Sequence, residues 1–156
     1  MNKPDLYGLF LSEIAALITP LRLEKYRAAQ IAEWLYKRNI TDFQAMRNLP
    51  QAQRNILTEN LTATTVTVAA QQDSTDRKTT KYLLSFPDNQ SVETVLMRQP
   101  YGNSVCVSTQ VGCAMGCVFC ASTLGGMTRD LTGGEILAQV LYIQQHLQQV
   151  GQTVDS

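Results

Sequence analysis

The sequence predicts an α/β protein in which a small N-terminal helical bundle is followed by a β-hairpin and one βα unit. Two observations carry this. Apolar residues recur at helical spacing from Pro4 to about Leu61, and beyond Leu61 the pattern switches to short threonine- and valine-rich runs. A third observation closes the order: from Thr132 the helical spacing returns.

In the first region Leu23, Tyr26, Ala29, Gln30, Ala32 and Trp34, widened by Ile31 and Leu35, form one stripe. Three or four short helices are expected, with chemically marked breaks. Thr19-Pro20 interrupts the first, Thr41 with Gln44 has the spacing of a capping box, and Pro50 suits a first helical turn. Strands are expected over residues 64–70, 81–86 and 91–98. Pro87, Asp88 and Asn89 supply a turn that makes the last two an antiparallel hairpin, while residues 71–80 form a looser connection. After the turn at Tyr101-Gly102-Asn103, a strand over 104–110 feeds a cysteine loop. The closing helix runs from Thr132 to about Val150. Thr132 and Glu135 sit as a second capping box, and Ile136, Leu137, Val140, Leu141 and Leu147 share one face. The resulting domains are 1–61, helical; 62–100, a β-hairpin linker region; and 101–156, the start of a core built round the loop. No internal repeat or low-complexity tract interrupts them.

With 156 residues, 44% hydrophobic and 17% charged, the chain has the composition of a folded protein with a core. Its formal net charge is zero, so no global field draws it to nucleic acid. Positive charge is concentrated in the first third, at Arg22, Lys25, Arg27, Lys37, Arg38, Arg47 and Arg54. A solvated helical surface and an RNA-facing patch both account for that cluster. Residues 1–10 lack the basic and apolar regions of a signal peptide, and no apolar run approaches the roughly 18–20 residues that span a bilayer. A cytoplasmic protein with no membrane partner is expected. In that reducing compartment, four cysteines between 106 and 120 favour metal ligation over disulfides.

Cys113, Cys117 and Cys120 have the spacing C-x3-C-x2-C. Thiolates are soft ligands that select zinc, cuprous copper or iron-sulfur clusters. Structural zinc takes four ligands, commonly as two close pairs, whereas this loop offers three thiols and no nearby histidine. Cys106, seven residues upstream, is a further thiol but lies in the preceding strand. Three thiolates on a four-iron cluster leave one iron open to a substrate or cofactor, and Gly112 and Gly116 let the backbone wrap closely round such a group.

This spacing, with Phe119 just before the third cysteine, resembles the signature of the radical S-adenosylmethionine superfamily. The wider run is similar to one family in particular. Val92-Glu93-Thr94-Val95, Cys106 to Cys113, Gly125-Gly126-Met127-Thr128-Arg129 and Gly134-Glu135-Ile136 resemble the RlmN-type adenine C2 methyltransferases of ribosomal and transfer RNA. Tyr26-Arg27-Ala28-Ala29-Gln30-Ile31 and Trp34-Leu35-Tyr36 fit that family's helical domain.

The resemblance implies a [4Fe-4S] cluster on Cys113, Cys117 and Cys120, with S-adenosylmethionine chelating the open iron and cleaved there to a deoxyadenosyl radical. It implies that Phe119 lies beside the cofactor's adenine, although simple packing is a compatible role. Glu93 matches the proton acceptor that acts on the adenine adduct. On a strand it shares a face with Val95 and Met97, an apolar setting that would raise its pKa toward a useful base; an exposed edge glutamate is the plainer alternative. Cys106 matches the cysteine that forms a transient disulfide with a methyl-carrying cysteine; by itself it reads as a small buried hydrophobe. Met115 and Met127 read as packing residues and His146 as solvated. The implied partners are 23S ribosomal RNA, transfer RNA and an external electron donor, and not DNA. The implied fold is a radical-SAM partial (β/α) barrel, truncated here because the chain stops where the helix should return to a second parallel strand, so that it is expected to be inactive alone. The rival reading is a non-catalytic RNA-binding module with a cluster- or zinc-binding loop.

Overall fold

Thr19 and Pro20 end the first helix as their chemistry requires. In the computed structural model, which describes residues 3–156, α1 covers Leu11–Ile18 and passes into a 3-10 turn over Thr19–Leu21, closed by Arg22 at φ 61°. Helix α2 spans Arg27–Ala32 and continues into a π turn over Glu33–Lys37, where the Arg38 amide donates to the Glu33 carbonyl. Its buried stripe is Ala28, Ile31, Ala32, Trp34 and Leu35. That spacing excludes Tyr26 and Ala29, which are exposed. The expected Thr41–Gln44 box is replaced by Asp42, whose Oδ1 accepts from the Gln44 amide at 2.8 Å and starts a 3-10 turn over Phe43–Ala45. A carboxylate bonded two residues ahead caps without help from Thr41. Helix α3, Gln51–Asn60, begins directly after Pro50. These helices, with Leu6, Ile14, Ile18, Ile31, Leu35, Met46, Leu49 and Leu57 fully buried, form a first compact unit that runs to Thr64.

The second unit, Thr65–Ser156, is built on an antiparallel meander. Strands β1 (Thr67–Asp73), β2 (Thr79–Ser85), β3 (Ser91–Gln99) and β4 (Gly102–Cys106) pair in chain order. The β2–β3 turn falls at Pro87–Asn89, with Asn89 at φ 63°. Strand β1 sits three residues later than expected and takes in Gln71–Asp73; all seven of its residues are exposed, and a bulge interrupts its ladder between Val68 and Ala70. One sheet face carries Tyr82, Leu84, Val92, Thr94 and Leu96 inward.

The run expected as one strand over 104–110 is broken. Strand β4 ends at Cys106, and β5 (Gln110–Gly112) pairs instead with β6 (Met127–Asp130), an unexpected strand. The break follows from Ser108, whose backbone N–H and C=O both turn to the side chain of Gln139. The cysteine segment is therefore the loop of a β5–β6 hairpin.

Helix α4, Gly133–Gln148, opens with the expected capping box: Thr132 Oγ1 accepts from the Glu135 amide and Glu135 Oε2 from the Thr132 amide. Its buried stripe is Gly134, Glu135, Ala138, Gln139, Ile143 and Leu147. Of the expected face, Leu147 is buried, whereas Ile136, Leu137, Val140 and Leu141 are half-buried. Two polar residues displace these four from the interior because both are fully bonded there, Glu135 to Arg129 and Gln139 to Ser108 and Thr94. Ile143 and Leu147 pack against Tyr82, Leu84 and Leu96. Phe86, Val92, Val111 and Leu131 form a second cluster beneath the β5–β6 hairpin.

After α4 the chain returns to the free side of β4. Ser156 N–H donates to Asn103 O at 3.2 Å and Val105 N–H donates to Ser156 O at 2.8 Å. One residue bonding both neighbours of its opposite number is the parallel pattern. Residues 151–156 form no strand, and this terminal contact alone pairs in that sense. Gly102 accommodates them, since a Cβ there would lie 2.7 Å from the Asp155 carboxylate.

The observed helix register makes a differential prediction. Ile143→Ala empties a fully buried position and is expected to cost about 2–5 kcal/mol in urea unfolding. Leu137→Ala, on the half-buried side, is expected to cost clearly less; equal losses would contradict the register.

Candidate functional site

The loop closes at a narrow neck. Cys113 N–H donates to the Gly126 carbonyl at 3.1 Å, and Gly112, at φ +73°, sits where a Cβ would come within 1.9 Å of that same oxygen. Any other residue at 112 would force the neck open. Inside, the Cys120 amide donates to Cys117 O at 3.1 Å, and Thr123 Oγ1 donates to the carbonyls of Cys117 and Cys120 at 3.1 and 2.8 Å. The three loop cysteines are free, half-buried thiols. Phe119 stands 90% exposed between the last two, and Met115, Val118 and Leu124 also point outward. Met115 and Met127 therefore do not fill a core as expected, while His146, expected to be solvated, is half-buried with its ring 6.0 Å from that of Tyr82.

Beside the loop lies a cleft of about 600 Å³, bounded by Leu83 and Glu93 of the sheet, the 107–110 segment, and Cys113, Cys120, Ala121 and Ser122. The fold thus brings Glu93 and two of the cysteines to one cavity. Cys117 and Phe119 are not among its walls. Cys106 lies opposite Val95 in the β3–β4 ladder, on the sheet face that carries Glu93, and is exposed where a buried small residue was expected. The expected apolar burial of Glu93 is also corrected. Val95 and Met97 do share its face, but that face is the open one; the carboxylate is 56% exposed and its Oε1 lies 2.9 Å from Lys81 Nζ.

Among the described residues no three His, Cys, Asp or Glu side chains converge on a point that would hold a single metal ion. A mononuclear zinc site draws its sulfurs to about 2.3 Å from one centre. The loop offers three free, soft thiol donors beside a glycine-lined backbone, a donor set that zinc and iron-sulfur groups both accept.

Arg129 anchors the loop's return strand. Its guanidinium reaches Glu135 through two bonds of 2.8 and 2.7 Å, and Asp88 in the β2–β3 turn at 2.7 Å. The bonded Arg129 holds the Glu135 carboxyl below its ordinary value against the opposing effect of burial, and Glu135 in turn raises the Arg129 pKa. Arg129 and Ser108 lie within motifs that carry no role for them in the sequence, and Gln139 and Lys81 likewise give no local signal, because each acts through a partner in another element.

With its mixed helix and antiparallel sheet, the chain matches part of a solved radical SAM methyltransferase. The crystal structure of that protein from Sphaerobacter thermophilus matches with a TM-score of 0.88 and 40% identity, over 97% of this chain and 44% of that one. More specifically, residues 4–63 match the ribosomal RNA large subunit methyltransferase N-terminal domain. The probable dual-specificity RNA methyltransferases RlmN of Bacillus licheniformis and Bacillus subtilis are each 46% identical over 155 residues, 99% of this chain, and 43% and 42% of their own lengths. This chain is therefore related, along its whole length, to the N-terminal portion of the RlmN-type methyltransferase family, and it spans less than half the length of these curated relatives. Among the described residues no helix is long and apolar enough to cross a membrane.

The Arg129–Glu135 pair sets a pH dependence. A carboxyl lowered in the folded state contributes stability that is present above its unfolded value, near 4.5, and is lost as pH falls through the lower folded value. Glu135→Gln is expected to flatten the acid limb of stability against pH. Urea unfolding between roughly pH 3 and 6 reads this, and an unchanged slope would exclude the pair as its source.

Proposed function

We propose that this chain supplies the RNA-contacting helical unit and the cluster-binding start of the core of a dual-specificity methyltransferase. The enzyme would be of the radical S-adenosylmethionine class and act at adenine C2 in 23S ribosomal RNA and transfer RNA. The observation that carries the reading is the cysteine hairpin sharing one cleft with Glu93. Cys113, Cys117 and Cys120 are the ligands of a [4Fe-4S] cluster, which when bound supplies the electron that cleaves S-adenosylmethionine, drawn in turn from an external donor. Phe119, exposed beside the ligands, offers a ring face to the cofactor's adenine. Glu93 Oε1 accepts the proton released from the methylated adenine; Lys81, 2.9 Å away, orients that carboxylate. Cys106, exposed on the Glu93 face, takes the transient disulfide. The reading assigns all four cysteines of the chain, so the methyl-carrying partner of Cys106 is none of them, and the reaction needs residues beyond these 156.

In this reading residues 1–61 contact RNA, the β-hairpin region 62–100 leads from them into the second unit and supplies most of its sheet, and 101–156 begin a partial (β/α) barrel. The parallel bonding of Ser156 beside β4, after a crossover helix, supports the last assignment. The protein works in the cytoplasm, without DNA or membrane partners.

Anaerobic reconstitution tests the cluster. About four irons and four sulfides per chain are expected, falling sharply in Cys113→Ala, Cys117→Ala and Cys120→Ala. Stoichiometric zinc without sulfide would overturn the reading in favour of a non-catalytic RNA-binding module. In the whole methyltransferase, Glu93→Gln is expected to lower RNA methylation by roughly 10²–10⁴-fold at unchanged iron content; full activity would remove Glu93 from the mechanism.

A further inference from the structure

Gln139 lies wholly inside the second unit, on the face of α4 turned to the sheet. A side-chain amide has two acceptor and two donor positions, and all of them are used here. Oε1 accepts from Thr94 Oγ1 at 2.8 Å and from the Ser108 amide at 2.9 Å; Nε2 donates to Ser108 O at 2.9 Å and to Glu135 O at 3.3 Å. Ser108 falls between β4 and β5, outside both ladders, so the amide stands where a neighbouring strand would. Ser108 Oγ in turn donates to the Glu93 carbonyl at 2.7 Å, and Thr94 follows Glu93 in β3. One residue further on, Thr109 O accepts from the Leu131 amide at 2.9 Å, tying the same segment to the strand that leaves the cysteine loop.

The contacts form one chain. An apolar residue at 139 would leave the half-buried Ser108 N–H and C=O and the fully buried Thr94 hydroxyl without these partners. Glutamine satisfies these groups together and, through Ser108, fixes Glu93 on one wall of the cleft. Through residues 109–112 it fixes Cys113 on the other. We infer that Gln139 is a positioning residue for this cleft, its side-chain amide setting the distance between Glu93 and the segment that enters the cysteine loop. What the cleft is used for rests on the proposed function; the spacing itself belongs to this chain's own side chains.

The test uses the whole chain, free of iron and cofactor, so that its outcome stands apart from that of cluster reconstitution. Gln139→Met keeps the length of the side chain and removes its hydrogen bonds. Exchange of the Ser108 amide is expected to quicken about tenfold or more. The Glu93 carboxyl carbon resonance is expected to shift at fixed pH, and alkylation of Cys113 to change severalfold. Thr94→Val removes one bond to the same oxygen and leaves the Ser108 clamp intact. It should lower the unfolding midpoint while leaving the Glu93 resonance and Cys113 alkylation as in the parent, which a merely structural role for Gln139 would not distinguish. Gln139→Met with parental Glu93 and Cys113 signals, or Thr94→Val moving them equally, would overturn the inference. Should Gln139→Met not fold, Ser108→Ala removes the hydroxyl bond to Glu93 alone; an unmoved Glu93 resonance there would overturn it as well.

Discussion

A loop that presents sulfur donors must be held shut at its base, or its donors lose their common frame. Here the β5–β6 ladder closes the base, and one further backbone hydrogen bond, from the Cys113 amide to the Gly126 carbonyl, narrows it to a neck that leaves no room for a side chain at Gly112. The rest of the second unit supports that neck from either side. Strand β5 is tied to the sheet and α4 through Ser108 and Gln139, and β6 through Arg129, Asp88 and Glu135. Within the loop, Thr123 bonds the carbonyls of Cys117 and Cys120 and so ties their turns together.

Two of the six buried positions of α4 are polar, and neither is a flaw in the core. Burying an unpaired carboxylate or amide would oppose folding, but each has its full complement of partners. Glu135 caps the helix and meets Arg129 through two parallel bonds, a geometry that fixes direction as well as distance. Apolar packing at Ile143 and Leu147 holds the helix to the sheet. The polar pair sets where along the sheet it sits, and so where the loop emerges.

Much of this was legible in the sequence. The helical first region, the Pro87–Asn89 hairpin, the capping box at Thr132 and the spacing of the cysteines are local signals, written within a few residues of one another. What was misread depends on distant partners. Periodicity groups Ile136, Leu137, Val140 and Leu141 on one face with Leu147, and only Leu147 is buried, because spacing has no means of knowing that Glu135 and Gln139 meet Arg129, Thr94 and Ser108. The strand over 104–110 looked continuous because its break comes from a side chain some thirty residues away. Four-residue β6 carries too little alternation to be seen alone. For Glu93 the pattern assigned the correct face of β3 but not which face was covered, since that depends on where α4 docks.

The bulge in β1 has a consequence for solubility. Strand β1 is the outermost strand, exposed at every position, with a row of backbone groups turned to solvent. A flat edge of that kind is a template on which another chain can add a strand. The irregularity between Val68 and Ala70 breaks the even spacing of those groups and increases the local twist, so an incoming strand finds no continuous register to follow. Growth of the sheet in that direction is discouraged within the strand itself, without a covering helix or a dense row of charges.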